Sequence, residues 1–121
     1  MLILLTFYFP FLKKKIGHEN QSLGRCFISP DNNTLAFTLR DGVIALVSRF
    51  TKRLIGSLKM NGTVRTLDFS PDGRQIASIG RDGQVYRWDV GERTCISNFW
   101  DEGTVKPTTI AWGPNDFLTT G

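Results

Sequence analysis

His18 is the one side chain in the 121 residues whose ordinary pKa lies near neutrality. Acyl transfer would need it beside a serine or cysteine nucleophile and an orienting acid, and no nucleophile motif accompanies it. The two cysteines, Cys26 and Cys95, have no metal-ligand spacing. A structural zinc ion takes about four ligands, so both thiols read as small core hydrophobes of a reducing compartment. No glycine-rich loop leads into a helix that could cradle a phosphate. The aspartates recur in turn-forming company: Pro30-Asp31, Asp41-Gly42, Pro71-Asp72-Gly73 and Asp82-Gly83. Proline presets φ for a turn, and Asp-Gly supplies a side-chain acceptor followed by a residue at ease with positive φ. These carboxylates are therefore committed to shaping the backbone. Neither an enzyme nor a protein with a metal, a cofactor or a small-molecule substrate is expected.

The turns are periodic. A shift of 41 residues lays Ser29-Pro30-Asp31 on Ser70-Pro71-Asp72, Arg40-Asp41-Gly42 on Arg81-Asp82-Gly83, and Gly62-Thr63-Val64 on Gly103-Thr104-Val105. Ala36 meets Ala77 and Ile55 meets Ile96. Eleven of the 41 positions from Gly24 to Val64 are identical to their partners without a gap. Between the turns of the second repeat lie four short segments: Val64–Ser70, Gln75–Ile79, Gln84–Val90 and Thr94–Phe99. Their length and spacing predict antiparallel hairpins. Inside/outside alternation is weak, as in Ile76-Ala77-Ser78-Ile79, which predicts a sheet packed on both faces. No segment has helical periodicity.

Charge divides the chain unevenly. Ten basic and three acidic residues lie up to Arg65, and five basic and eight acidic follow. A basic half beside an acidic half suits docking onto RNA or an acidic protein as well as a plain solvated surface. Met1 to Leu12 is almost wholly apolar and is followed by Lys13-Lys14-Lys15, the reverse of a secretory signal's order. Twelve residues are also too few for a helix to span a bilayer, which takes about 20. Residues 1–16 read as a strand of a preceding sheet or as sequence foreign to the fold, and no membrane association is expected.

A repeat near 41 residues with four strands, a loop aspartate and a strand ending in Trp88-Asp89 resembles the WD-repeat blade. The resemblance implies an all-β fold: a WD-repeat β-propeller fragment of about two and a half four-stranded blades. A diverged blade would occupy 17–62, a second 63–103, and a third would begin at 104–121 and stop before its last two strands. Seven such blades would take roughly 290 residues. In that family a serine or threonine, the loop aspartate, the tryptophan and a histidine form a hydrogen-bonded tetrad. Ser78, Asp82 and Trp88 match three members, while Asn61-Gly62 stands where Gly-His is usual. In the first repeat His18 follows Gly17, but Phe37 and Val47 replace the serine and tryptophan. These residues are expected to be structural.

Less stereotyped stretches narrow the resemblance. Leu54-Ile55-Gly56-Ser57-Leu58-Lys59-Met60-Asn61-Gly62, Asp82 to Val90, Arg93-Thr94-Cys95 and Asp101-Glu102-Gly103-Thr104 are similar to the U-three small nucleolar RNA-associated protein 18 family over about Gly17 to Gly121. That family implies a non-enzymatic scaffold of the nucleolar small-subunit processome, in the nucleus, acting in 18S precursor processing. Its partners would be other WD-repeat processome proteins and, indirectly, the small nucleolar RNA and pre-rRNA complex. A WD-repeat adaptor of a ubiquitin ligase or of chromatin is the alternative. Arg65 and Arg81 lie where propellers often present contact residues. No aromatic-plus-basic platform of the kind that binds single-stranded RNA is evident.

Overall fold

A computed structural model describes residues 25–100, 109–113 and 116–120. The expectations for His18, residues 1–16 and the Asp101-Glu102-Gly103-Thr104 junction lie outside these residues. Strands β1 (Cys26–Ile28), β2 (Thr34–Thr38), β3 (Val43–Ser48) and β4 (Leu54–Lys59) form one antiparallel sheet in chain order. Strands β5 (Val64–Phe69), β6 (Gln75–Gly80), β7 (Gln84–Asp89) and β8 (Thr94–Trp100) form a second of the same order. An antiparallel pair, β9 (Thr109–Trp112) and β10 (Phe117–Thr120), follows. Two four-stranded antiparallel sheets in chain order, followed by a further pair, match the all-β expectation of successive four-stranded blades, and the described residues include no α-helix. The Arg40-Asp41-Gly42 turn closes as a single 3₁₀ turn with Asp41 at φ 62° and Gly42 at φ 81°.

The repeat holds at the level of register. In the first sheet Leu35 opposes Val47, Phe37 opposes Ala45 and Thr38 opposes Ile44. Forty-one residues on, Ile76 opposes Trp88, Ser78 opposes Tyr86 and Ile79 opposes Val85. The first turns explain part of this. Ser29 Oγ donates to Asp31 Oδ1 at 2.6 Å and accepts from the Thr34 N–H at 3.0 Å. Ser70 Oγ does the same with Asp72 Oδ1 (2.6 Å) and the Gln75 N–H (3.0 Å). Each serine thus ties the end of one strand to the start of the next.

The serine hydroxyl, ahead of the Asn33 and Arg74 backbone N–H groups, holds the Asp31 and Asp72 carboxyls below their ordinary value of 3.8. A carboxyl with a depressed folded pKa contributes stability that is complete above the unfolded value and is lost as pH falls through the folded one. Both turns should therefore keep their charge below pH 3.8. Carbon-detected NMR titration should find both midpoints under that value, and Ser70→Ala should move the Asp72 midpoint upward.

Stacking of the two sheets builds the core. One face of the first sheet supplies Ala36, Ile44, Leu46 and Leu58, with Met60 just beyond β4. The second sheet meets it with Leu67, Phe69, Ile76, Tyr86 and Trp88, all ten residues being at most 5% exposed. Burying each large side chain contributes about 1.5–3 kcal/mol. The opposite face of the first sheet forms its own cluster of Leu35, Phe37, Leu39, Ala45 and Val47. Leu35, Phe37, Ala45 and Val47 are the repeat equivalents of Ile76, Ser78, Tyr86 and Trp88, so corresponding faces point the same way along the stack. Ile76, Ala77, Ser78 and Ile79 are all fully buried, which accounts for the weak alternation.

The pair β9–β10 continues the stack on the far face of the second sheet. Trp112 Nε1 donates to the Asp68 carbonyl at 3.2 Å, and the Arg87 guanidinium lies 5.9 Å from the Trp112 ring centroid. Asp116 completes the contact through a 3.4 Å ion pair with Arg87. Of the two thiols expected in the core, Cys26 packs against the buried cluster of the first sheet and Cys95 does not. Cys26 is half-buried, and burial raises its thiol to about 11. Cys95, by contrast, is exposed, because every residue of the outer strand β8 is exposed.

Candidate functional site

Trp88 is 5% exposed, and its Nε1–H donates to the fully buried Ser78 Oγ at 2.9 Å. The position opposite belongs to Met60, whose Sδ accepts from Ser78 Oγ at 3.1 Å. A polarisable sulfur, brought in by the chain between β4 and β5, satisfies the hydroxyl. Asp82 stands apart from this pair: its Oδ1 accepts from the Gln84 N–H at 3.0 Å and shapes its own turn. The structure thus joins Trp88 and Ser78 and leaves Asp82 outside their hydrogen bond.

A second polar chain runs beside the first. The Asn61 N–H donates to Tyr86 Oη (3.2 Å), which donates to Gln84 Oε1 (3.1 Å), and Gln84 Nε2 donates to Asn98 Oδ1 (2.9 Å). The Tyr86 and Trp88 rings stack at 5.5 Å with a 9° interplanar angle. Each polar group named here hydrogen-bonds to a neighbour, and among the described residues no base adjoins the Ser78 hydroxyl. Such a network specifies packing.

A surface able to bind lies at the end of the stack that carries the β2–β3 and β6–β7 turns. A groove of about 500 Å³ opens between the two sheets, lined by Arg25, Thr38, Leu39, Arg40, Thr63, Val64, Arg65 and Arg81. Arg40 and Arg81 are repeat equivalents in the two turns. Arg25 precedes β1, its guanidinium 4.8 Å from the Phe27 ring centroid.

Arg65 arrives by a different device. The β5–β6 register passes from Val64–Gly80 directly to Thr66–Ile79, leaving Arg65 as the extra residue of a bulge. A bulge re-aims its side chain, so Arg65 belongs to strand β5 rather than to a loop. All four arginines are exposed. Among the described residues no ion pair joins any of them to a carboxylate. Arg65 and Arg81, singled out in the sequence, therefore lie together. Arg25 and Arg40 were missed, because the groove combines residues of two repeats and one of its members is out of phase with the 41-residue shift. The charge excess before Arg65 was the only signal for them.

The polar backbone of the groove is already engaged. The Thr38 N–H donates to the Arg25 carbonyl (2.9 Å), the Arg25 N–H to Thr38 Oγ1 (2.8 Å), and the Arg81 N–H to the Thr63 carbonyl (3.0 Å). Recognition there falls to the guanidinium groups. Among the described residues no group of three or more His, Cys, Asp or Glu could hold a metal ion, and no helix is long and apolar enough to cross a membrane.

Residues 51–89 match the WD domain, G-beta repeat family, a stretch that spans β4 through β7. The chain is 47% identical over 103 residues to the U3 small nucleolar RNA-associated protein 18 homolog of Arabidopsis thaliana, which covers 85% of the chain and 19% of that relative. It is 40% identical over 88 residues to the Homo sapiens homolog (73% of the chain, 16% of the relative) and 36% identical over 99 residues to that of Mus musculus (82% and 18%). The chain therefore spans less than a fifth of the length of these relatives.

Proposed function

On the premise that this chain is a WD-repeat segment homologous to the U3 small nucleolar RNA-associated protein 18 homologues, we propose that it is a non-catalytic scaffold in processing of the 18S ribosomal RNA precursor. It would work in the nucleolus, within the small-subunit processome, alongside other WD-repeat proteins. One observation carries the reading: identity of 47% extends over 103 residues, well beyond the 39 of the WD-repeat match and its generic turns. Stacked sheets give a rigid body whose ends and outer strands hold partners in fixed geometry, while the buried polar groups are consumed by packing. Contact with the RNA would be indirect, through the partner proteins.

Tagged protein recovered from nucleolar extract should enrich U3 small nucleolar RNA over spliceosomal RNAs, and its depletion should cause unprocessed 18S precursor to accumulate. Recovery without U3 enrichment, together with normal precursor processing after depletion, would contradict the proposal.

A further inference from the structure

We propose that the four-arginine groove between the two sheets is a docking site for an extended acidic peptide segment of a partner protein. The inference rests on the assembly role proposed above and names the partner chemistry of one surface. Arg25 and Arg40 come from the first sheet, Arg65 and Arg81 from the second, around a concavity of about 500 Å³. The concavity is open to solvent along one side, as a site for a segment of extended chain must be. Guanidinium groups present paired donors that match the two oxygens of a carboxylate. Asp41 and Asp82 follow Arg40 and Arg81 in the chain, yet neither lines the groove, and Asp82 is held by the Gln84 amide.

Three features favour a peptide over RNA. None of the lining residues is aromatic, so unstacked bases would find no platform. A double helix carries its phosphates on a broad convex surface and would meet this concavity only at its rim. The half-buried Val64 provides apolar lining, to which the 4%-exposed Leu39 adds little. Aliphatic side chains interspersed among acidic ones can use that lining, whereas a sugar–phosphate chain has nothing to place there.

Fluorescence anisotropy with the full chain tests the proposal. The probes are a short fluorescein-labelled peptide alternating acidic and aliphatic residues, the same peptide with Gln and Asn replacing the acids, and oligouridylate RNA. The acidic peptide should bind at least about tenfold more tightly than the other two. Arg65→Gln with Arg81→Gln should weaken it at least about tenfold, and Arg40→Gln alone should weaken it measurably. Arg53→Gln with Arg74→Gln, which alters exposed arginines outside the groove, should leave affinity unchanged. Arg65→Lys with Arg81→Lys should retain only part of the binding, since lysine keeps the charge and loses the paired donors. Circular dichroism follows the fold of each variant, and Arg40→Gln decides the matter should the double variant unfold. Equal binding of the amide peptide, tighter binding of oligouridylate, or full affinity in the folded groove variants would overturn the proposal. U3 RNA recovery in cells is read separately, so loss of either result leaves the other standing.

Discussion

Gly42→Ala should destabilise the chain by at least about 3 kcal/mol, seen as a large drop in the urea unfolding midpoint. Gly42 sits at φ 81°, and a Cβ there would collide with the Gly62 carbonyl oxygen and lie 2.6 Å from that of Met60. Both obstacles are backbone atoms of the segment joining the two sheets. That segment cannot retreat without losing the Met60 N–H donation to the Gly42 carbonyl at 2.9 Å. The cost therefore combines a left-handed backbone with a clash and a broken hydrogen bond. Gly73→Ala is the control. Its φ is 73°, but the nearest atom to the new Cβ is Pro30 Cδ at 3.8 Å, so only the backbone penalty of about 1–2 kcal/mol applies. Equal losses in the two variants would show that the Gly42 turn does not touch the connecting segment.

Trp88→Ala should cost about 3–5 kcal/mol, because it empties a site at the centre of the interface between the sheets. Trp88→Phe keeps most of the ring contact and removes the indole donor, so it should cost less. Ser78→Ala strands that donor with no acceptor in a fully buried position. A double-mutant cycle of Trp88→Phe and Ser78→Ala should give a coupling energy of about 1 kcal/mol. Additive effects would mean that the 2.9 Å contact does not hold in solution.

Turn chemistry made the fold legible in the sequence. Ser-Pro-Asp and Arg-Asp-Gly repeat at fixed spacing because hydroxyl–carboxylate bonding and positive φ restrict which residues can stand there. The same constraint brings Thr34–Ser48 and Gln75–Asp89 to the same register. Less regular solutions escaped such reading. Met60 as the acceptor for Ser78 follows no motif, since any side chain of suitable length and polarisability could fill that place. The bulge at Arg65 depends on the pairing of β5 with β6, and nothing local announces it. Cys95 suggested a core thiol by residue type, but β8 is the outer strand of its sheet, and type alone does not say which strand lies outermost. The groove was half visible for a related reason: two of its arginines come from the other repeat and meet Arg65 and Arg81 only when the sheets stack.

Two consecutive 41-residue stretches adopt one register and bury themselves against each other. Cross-strand backbone nuclear Overhauser effects test this most directly. Leu35 should pair with Val47 and Ala36 with Leu46, and at the equivalent positions Ile76 with Trp88 and Ala77 with Arg87. A slip of one residue in either sheet would exchange the side chains of its two packed faces and contradict this pairing.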